Sequence, residues 1–323
     1  MPTRSSERWI ADGENMVRLF EEAGYDTDLQ YGEDQIENQI SQIENMIAQG
    51  VDLLVIAAID GSSLGNVLQQ AADAAIPVVS YDRLLLDSEH VACYATFDNE
   101  QVGRLQGQYI LDTLGLHQPG QGQDTYTIEL FAGSPDDNNT RYFYNGAMSV
   151  LQPYLDTGQL TVRSGQTELN EITTQAWSGA EAQDRMDDLL TADYRTQRLD
   201  AVLSPYDGIS LGILAAVKSV GYGTGSQPFP IITGQDAEIA SVQSIIAGEQ
   251  TQTVYKDFRE LAAQAVSMSD ALLNGQECEA NDTESYDNGV KTVPSYLLEP
   301  ISIDADNYHI MIEDGYYNEQ DLD

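Results

Sequence analysis

The chain has 323 residues, 41% of them hydrophobic, which is enough for two domain cores rather than one. Fourteen Lys and Arg stand against 53 Asp and Glu, a net charge of −39 that repels nucleic acid, anionic membranes and most anionic substrates. Three scattered histidines (His90, His117, His309) argue against a His-based metal site, and there is no run of 18 apolar residues to cross a membrane. Two cysteines, Cys93 and Cys278, are too few for a disulfide scaffold; they are either one bridge or two buried thiols. The acidity reads as a surface adapted for solubility, in salt among other settings, with a charge-steered basic partner as the sharper alternative.

Ser5 or Ser6 caps a predicted helix running to about residue 23, with Trp9, Met16, Leu19 and Phe20 on its apolar face and Gly24 as its stop. No signal peptide and no apolar strand precede it, so Met1 is expected to be an internal residue or an artificial start. A short strand is predicted at 28–31, a helix at 36–49 stopped by Gly50, and a buried strand at 51–58. A helix from Ser62 or Ser63 to 75 leads into a strand at 76–83, I-P-V-V-S-Y-D-R, and another strand follows at 91–96. Helix 100–114 and a loop at 115–124 come next. The same rhythm then restarts. Strands at 127–131, 160–163, 201–203, 231–233 and 252–255 alternate with helices at 139–151, 180–190, 208–220, 237–247 and 258–273. The tail from 280 mixes acidic turns with strand candidates at 289–293 and 296–298. Strands alternating with helices of this length imply βαβ units, parallel sheets and two similar α/β lobes with a cleft between them.

The apolar strands end in polar residues, and in parallel sheets ligands bind beyond the carboxyl ends of the strands. Asp82 and Arg83 supply a carboxylate that accepts hydroxyl protons and a planar guanidinium that donates; the plainer alternative is a cap and a surface charge. Arg8 and Trp9 pair a donor with a ring that can stack on a sugar, against a helix-core Trp beside a surface Arg. In S-P-D-D-N-N one residue, Asp137 or Asn138, caps the helix and the others are spare. Trp177 lies in a polar loop, as a stacking platform or as a lid on a core edge. Asp207, Gln235 and Asp236 end further strands, and Lys256 is a rare cation. No G-x-S-x-G, H-E-x-x-H or phosphate-cradling glycine motif with Lys is present, and G-Y-G-T-G follows a helix and reads as a loop. No catalytic residue, cofactor or metal is assigned. No basic helix-turn-helix precedes the first lobe.

S-Q-I-E-N-M-I-A-Q-G-V-D-L-L-V-I, Y-D-R-L, Y-A-T-F-D-N-E-Q-V-G, G-S-P-D-D-N-N, V-L-S-P-Y-D-G, G-Q-D-A and P-S-Y-L-L together resemble the periplasmic monosaccharide-binding proteins of ABC importers, nearest to the multiple-sugar receptors and then the xylose-binding proteins. The likeness covers nearly the whole chain. It implies the periplasmic-binding-protein-like type I fold: two Rossmann-like lobes joined by a three-stranded hinge. The first lobe would take 1–99 and 257–289, the second 100–256 and 290–323, which could bring Cys278 into the lobe of Cys93. The family's sugar contacts carry over to Arg8, Trp9, Asp82 and Arg83 on one lobe. On the other they carry over to Asn138 or Asn139, Trp177, Asp207 and Asp236, with Lys256 near the hinge. The implied function is capture of an aldopyranose such as glucose, galactose, xylose or arabinose by a periplasmic or extracellular monomer, with a lipoprotein tether as an option, and delivery to a membrane permease. The alternatives are a sugar sensor for a chemoreceptor or histidine kinase and, behind it, a glycoside-processing enzyme.

Overall fold

A computed structural model describes residues 1–122 and 124–322. Gln123, in the expected loop at 115–124, and Asp323, the end of the expected second lobe, lie outside the described residues. The chain divides into two units, residues 1–98, 136–139 and 257–299 against 99–135, 140–256 and 300–323. The first passage builds α1 (Glu7–Glu22), α2 (Ile36–Gln49), β1 (Leu54–Ile56), α3 (Gly65–Asp73), β2 (Val78–Tyr81) and β3 (Cys93–Phe97). The second unit follows with α4 (Asn99–Thr113), β4 (Tyr126–Leu130), α5 (Asn139–Asp156), β5 (Leu160–Val162), α6 (Leu169–Ile172), α7 (Gly179–Asp193), β6 (Ala201–Leu203), α8 (Asp207–Ser219), β7 (Ile231–Ile232), α9 (Ile239–Ile246) and β8 (Thr253–Tyr255). The chain returns to the first unit for α10 (Phe258–Leu273) and β9 (Ser295–Leu298), then ends in the second with β10 (Ile301–Ile303) and α11 (Ile310–Glu313).

The first unit holds a parallel sheet of order β1-β2-β3-β9, in register Leu54 to Val78, Val79 to Cys93 and Ala95 to Tyr296. Every residue of β2 and β3 is buried, so these strands read as bare apolar runs. The second unit holds a parallel sheet of order β5-β4-β6-β7 and an antiparallel pair, β8 with β10. Its core divides between Ile128, Leu130 and Leu151 on one side and Met186, Val202 and Ile213 on another.

Three expectations change. Residues 28–31 form no strand; the Gln30 carbonyl accepts from Met1 N at 2.8 Å and the Tyr31 carbonyl from the Gln42 side-chain amide at 2.7 Å. Residues 289–293 turn instead of extending, because the Asn288 side-chain oxygen accepts from the Val290 and Lys291 amides at 3.1 and 3.0 Å. Residues 290–299 belong with the first unit rather than the second, because β9 completes its sheet beside β3. Cys93 and Cys278 form a disulfide within the first unit, Cα to Cα 6.4 Å, which settles the choice between bridge and thiols.

In the second unit, α4 and α5 approach closely at glycines. A methyl group at Gly103 would stand 1.9 Å from the Phe143 carbonyl oxygen, and one at Gly146 1.9 Å from that of Glu100. The neighbouring atoms are backbone and cannot rotate away. Gly146→Ala is therefore expected to lower stability by about 1–3 kcal/mol; an unchanged urea midpoint would contradict this helix contact.

Candidate functional site

In the first unit the strand-end segment after β2 is held in an unusual shape. Asp82 has φ +58°, in the region that favours glycine. Its carbonyl accepts from the Tyr94 hydroxyl, from Thr96 Oγ1 at 3.1 Å and from Asn139 Nδ2 at 2.8 Å. Three donors on one carbonyl fix the strained backbone and so the direction of the side chain. The Asp82 carboxylate takes a hydrogen bond from Arg8 Nη2. Arg8 is no surface charge: its side chain is 9% exposed, and its guanidinium lies 4.3 Å from the Trp9 ring centre and 4.1 Å from that of Phe258. Asp12, one turn on and wholly buried, lies 3.6 Å from Arg8 Nε.

Trp9 is core, as the plainer reading had it, but its ring also serves as a shelf for the guanidiniums of Arg8 and, at 5.3 Å, Arg83. Arg83 pairs with Asp137 at 3.0 Å and donates to the Ala58 carbonyl at 3.1 Å. Burial pushes the Asp137 carboxyl above its ordinary range, against the pull of Arg83. Asn138 and Asn139 separate here. The Asn139 amide is engaged with Asp82 and Tyr94, whereas Asn138 Nδ2 is buried and has no protein partner. A buried donor without a partner is costly.

In the second unit, Asp236 and Lys256 form a buried ion pair at 2.8 Å, with side chains 5% and 3% exposed. Asp236 has φ +89° and Ala237 φ +51°. The Lys256 ammonium stands 5.9 Å from the Phe143 ring centre, and Phe143 meets Trp177 edge to face at 6.2 Å. Trp177 has φ +56°, meets Tyr206 edge to face at 5.9 Å, and leaves its buried indole N–H unpaired. Gly133 admits the ring: a methyl group there would lie 2.0 Å from it. Gln235 Oε1 is likewise buried without a donor.

Asp207 does not present a free carboxylate. It is wholly buried and accepts from Thr253 Oγ1 at 2.8 Å, Gln250 Nε2 at 3.1 Å and the Glu238 amide at 2.8 Å. Burial, reinforced by Glu238, holds its carboxyl well above the ordinary range. Its carboxylate oxygens are engaged inside the unit. Asp12, Asp137 as the partner of Arg83, Phe143, Tyr206 and Gly133 were not singled out for these places. The i, i+4 spacing of Asp12 from Arg8 on a predicted helix was a readable signal, as was a glycine at the end of β4.

The cation beside Asp236 yields a direct test. Lys256→Met is expected to cost about 3–5 kcal/mol in a urea titration, because it removes the cation paired with a buried carboxylate. Lys256→Met with Asp236→Leu should recover much of that loss; a double variant as unstable as the single one would show that the pair is not what stabilises this corner.

The model of the periplasmic binding protein domain matches residues 1–277. The chain is 59% identical over 320 residues to the multiple sugar-binding periplasmic protein SbpA of Azospirillum brasilense, covering 99% of this chain and 88% of that protein. It is 56% identical to the multiple sugar-binding periplasmic receptor ChvE of Rhizobium radiobacter, covering 100% and 90%. Among solved structures it is similar to an ABC transporter solute binding protein from Clostridium phytofermentans with bound β-D-glucose, at 46% identity and a TM-score of 0.95, covering 100% of this chain and 98% of that one. The architecture is the periplasmic binding protein type I fold, α/β with parallel sheets. The chain belongs to the periplasmic binding protein family.

Proposed function

We propose that this chain captures one monosaccharide, an aldopyranose such as glucose, galactose, xylose or arabinose, and delivers it to an ABC sugar permease. The observation that carries the reading is the make-up of the strand-end clusters. Each places a buried carboxylate against a buried cation beside aromatic rings: Arg8–Asp82 in one unit, Asp236–Lys256 in the other. In neither cluster do the cations outnumber the carboxylates, so an anion finds no uncommitted charge, whereas hydroxyls both donate to carboxylates and accept from cations. The unpaired groups of Asn138, Trp177 and Gln235 add two donors and an acceptor of the kind a polyol satisfies. Solved structures similar to this chain at 46% and 31% identity hold β-D-glucose and D-glucose.

The ligand set proposed is Arg8, Asp82, Arg83, Asn138, Trp177, Asp236 and Lys256, with Trp9 as the shelf beneath the guanidiniums and Asn139 holding Asp82. The family is one of binding proteins, and no turnover of the sugar is assigned. A periplasmic setting follows the relatives, and among the described residues no helix is long and apolar enough to cross a membrane. The chain is proposed to act as a monomer. The likeness to a protein named a receptor supports a second partner, a membrane sensor that reads the same loaded form.

A thermal-shift panel of aldoses followed by calorimetry tests the assignment, since each true ligand raises the melting temperature by mass action. Asp82→Ala and Asp236→Ala should each weaken sugar binding about 100-fold or more, the loss of charge-assisted hydrogen bonds. Asp207→Asn should lower the melting temperature of the free protein while leaving sugar affinity within a few fold. Near-normal affinity in Asp236→Ala would remove that residue from the site, and a panel without a single hit would remove the function.

A further inference from the structure

The segment between α10 and β9, residues 274–294, contributes no ligand to the proposed sugar site, yet it closes on the strand that holds Asp82. The Cys93–Cys278 bridge fastens it one residue from Tyr94. Asn281 lies along β9, its Oδ1 accepting from the Leu297 amide at 2.8 Å and its Nδ2 donating to the Leu297 carbonyl at 2.9 Å. Asn288 Nδ2 donates to the Ser88 carbonyl at 2.7 Å, and the Asp87 amide donates to the Asn288 carbonyl at 2.7 Å, so the same segment grips the chain just past Asp82. Between these anchors stands Tyr286. It is 2% exposed, its carbonyl accepts from the Val293 amide at 2.9 Å, and its ring meets the Tyr94 ring edge to face at 5.2 Å.

The Tyr94 hydroxyl donates to the Asp82 carbonyl and lies 3.3 Å from Asn139 Oδ1. Burial, reinforced by Tyr286 and Asp82, holds that hydroxyl well above its ordinary range, so it keeps its proton and remains a donor. It sits at the far end of a ring, where a small turn about χ1 sweeps it through a wide arc. An edge-to-face neighbour limits such a turn. Thr96, by contrast, reaches the Asp82 carbonyl from a short side chain with little arc to restrain.

We propose that, with Asp82 as a sugar ligand, Tyr286 is a positioning residue of the site: acting through Tyr94, it sets the direction of the Asp82 carboxylate and so the strength with which an aldose is held.

Calorimetry with glucose, galactose, xylose and arabinose, well below the unfolding temperature, tests this. Tyr286→Leu is expected to weaken binding of the tightest of these sugars about 5- to 10-fold, and Tyr286→Phe, which keeps the ring, to stay within about twofold of the unaltered chain. Tyr94→Phe removes the donor and should weaken binding as well. Adding Tyr286→Leu to it should then cost nothing further, since a residue acting only through that hydroxyl has no second route. Gly146→Ala destabilises a different contact and should leave affinity unchanged, which separates positioning from lost stability. If Tyr286→Leu does not fold, the more flexible side chain of Tyr286→Met takes its place. In the sugar-free protein the carboxyl-carbon resonance of Asp82 should move in Tyr286→Leu and in Tyr94→Phe and stay in place in Gly146→Ala. Unchanged affinity in Tyr286→Leu, losses that add in the double variant, or an unmoved Asp82 resonance would each overturn the positioning role. An unaltered chain that binds none of the four sugars would instead remove the functional reading, and the Asp82 resonance alone would then decide the role of Tyr286.

Discussion

Buried charge is the constraint on which the candidate site depends. Arg8, Asp82, Asp236 and Lys256 are all nearly inaccessible to water, and such groups persist in a fold only when paired and hydrogen-bonded. The pairs therefore dictate their surroundings. Phe258 and Trp9 enclose the Arg8 guanidinium, and Phe143 stands beside the Lys256 ammonium. The same pairing that makes burial tolerable holds each head group in a set direction. Pre-set polar groups are what recognition of a neutral polyol requires, since little ordering remains to be done on binding.

Backbone strain marks the same places. Asp82, Trp177 and Asp236 all have φ between +50° and +90°, where side chains other than glycine are disfavoured. The clearest restraint is at Asp82, whose carbonyl is gripped by Tyr94, Thr96 and Asn139. The residue chosen for its chemistry is thus held by neighbours chosen for their hydrogen bonds. A conservative change at Tyr94 or Thr96 would move a carboxylate that neither of them replaces.

Much of the architecture was legible because its signals are local. Helix α10 follows its apolar spacing from Phe258 to Leu273, and Gly50 stops α2 in the left-handed conformation that glycine adopts at low cost. Asp207 and Asp236 looked alike, each an acidic residue just past an apolar strand. Nothing near them in sequence tells that Thr253 and Gln250 consume the first, or that Lys256 faces the second. The placing of β9 was hidden for the same reason: a strand of four residues pairs with one about 200 positions earlier. The turn at 288 is written in Asp-Asn-Gly, and its side-chain bonds outweigh the strand preference of the valines around it.

The split ownership of the first sheet bears on how the molecule is made. Its strands β1 to β3 emerge early from the ribosome, yet β3 lacks its neighbour until residues 295–298 follow, and Cys93 waits as long for Cys278. Until then the β3 edge of that sheet has no strand to pair with. The cystine then forms where thiols are oxidised, and it ties the early and late passages of the first unit together by a covalent bond.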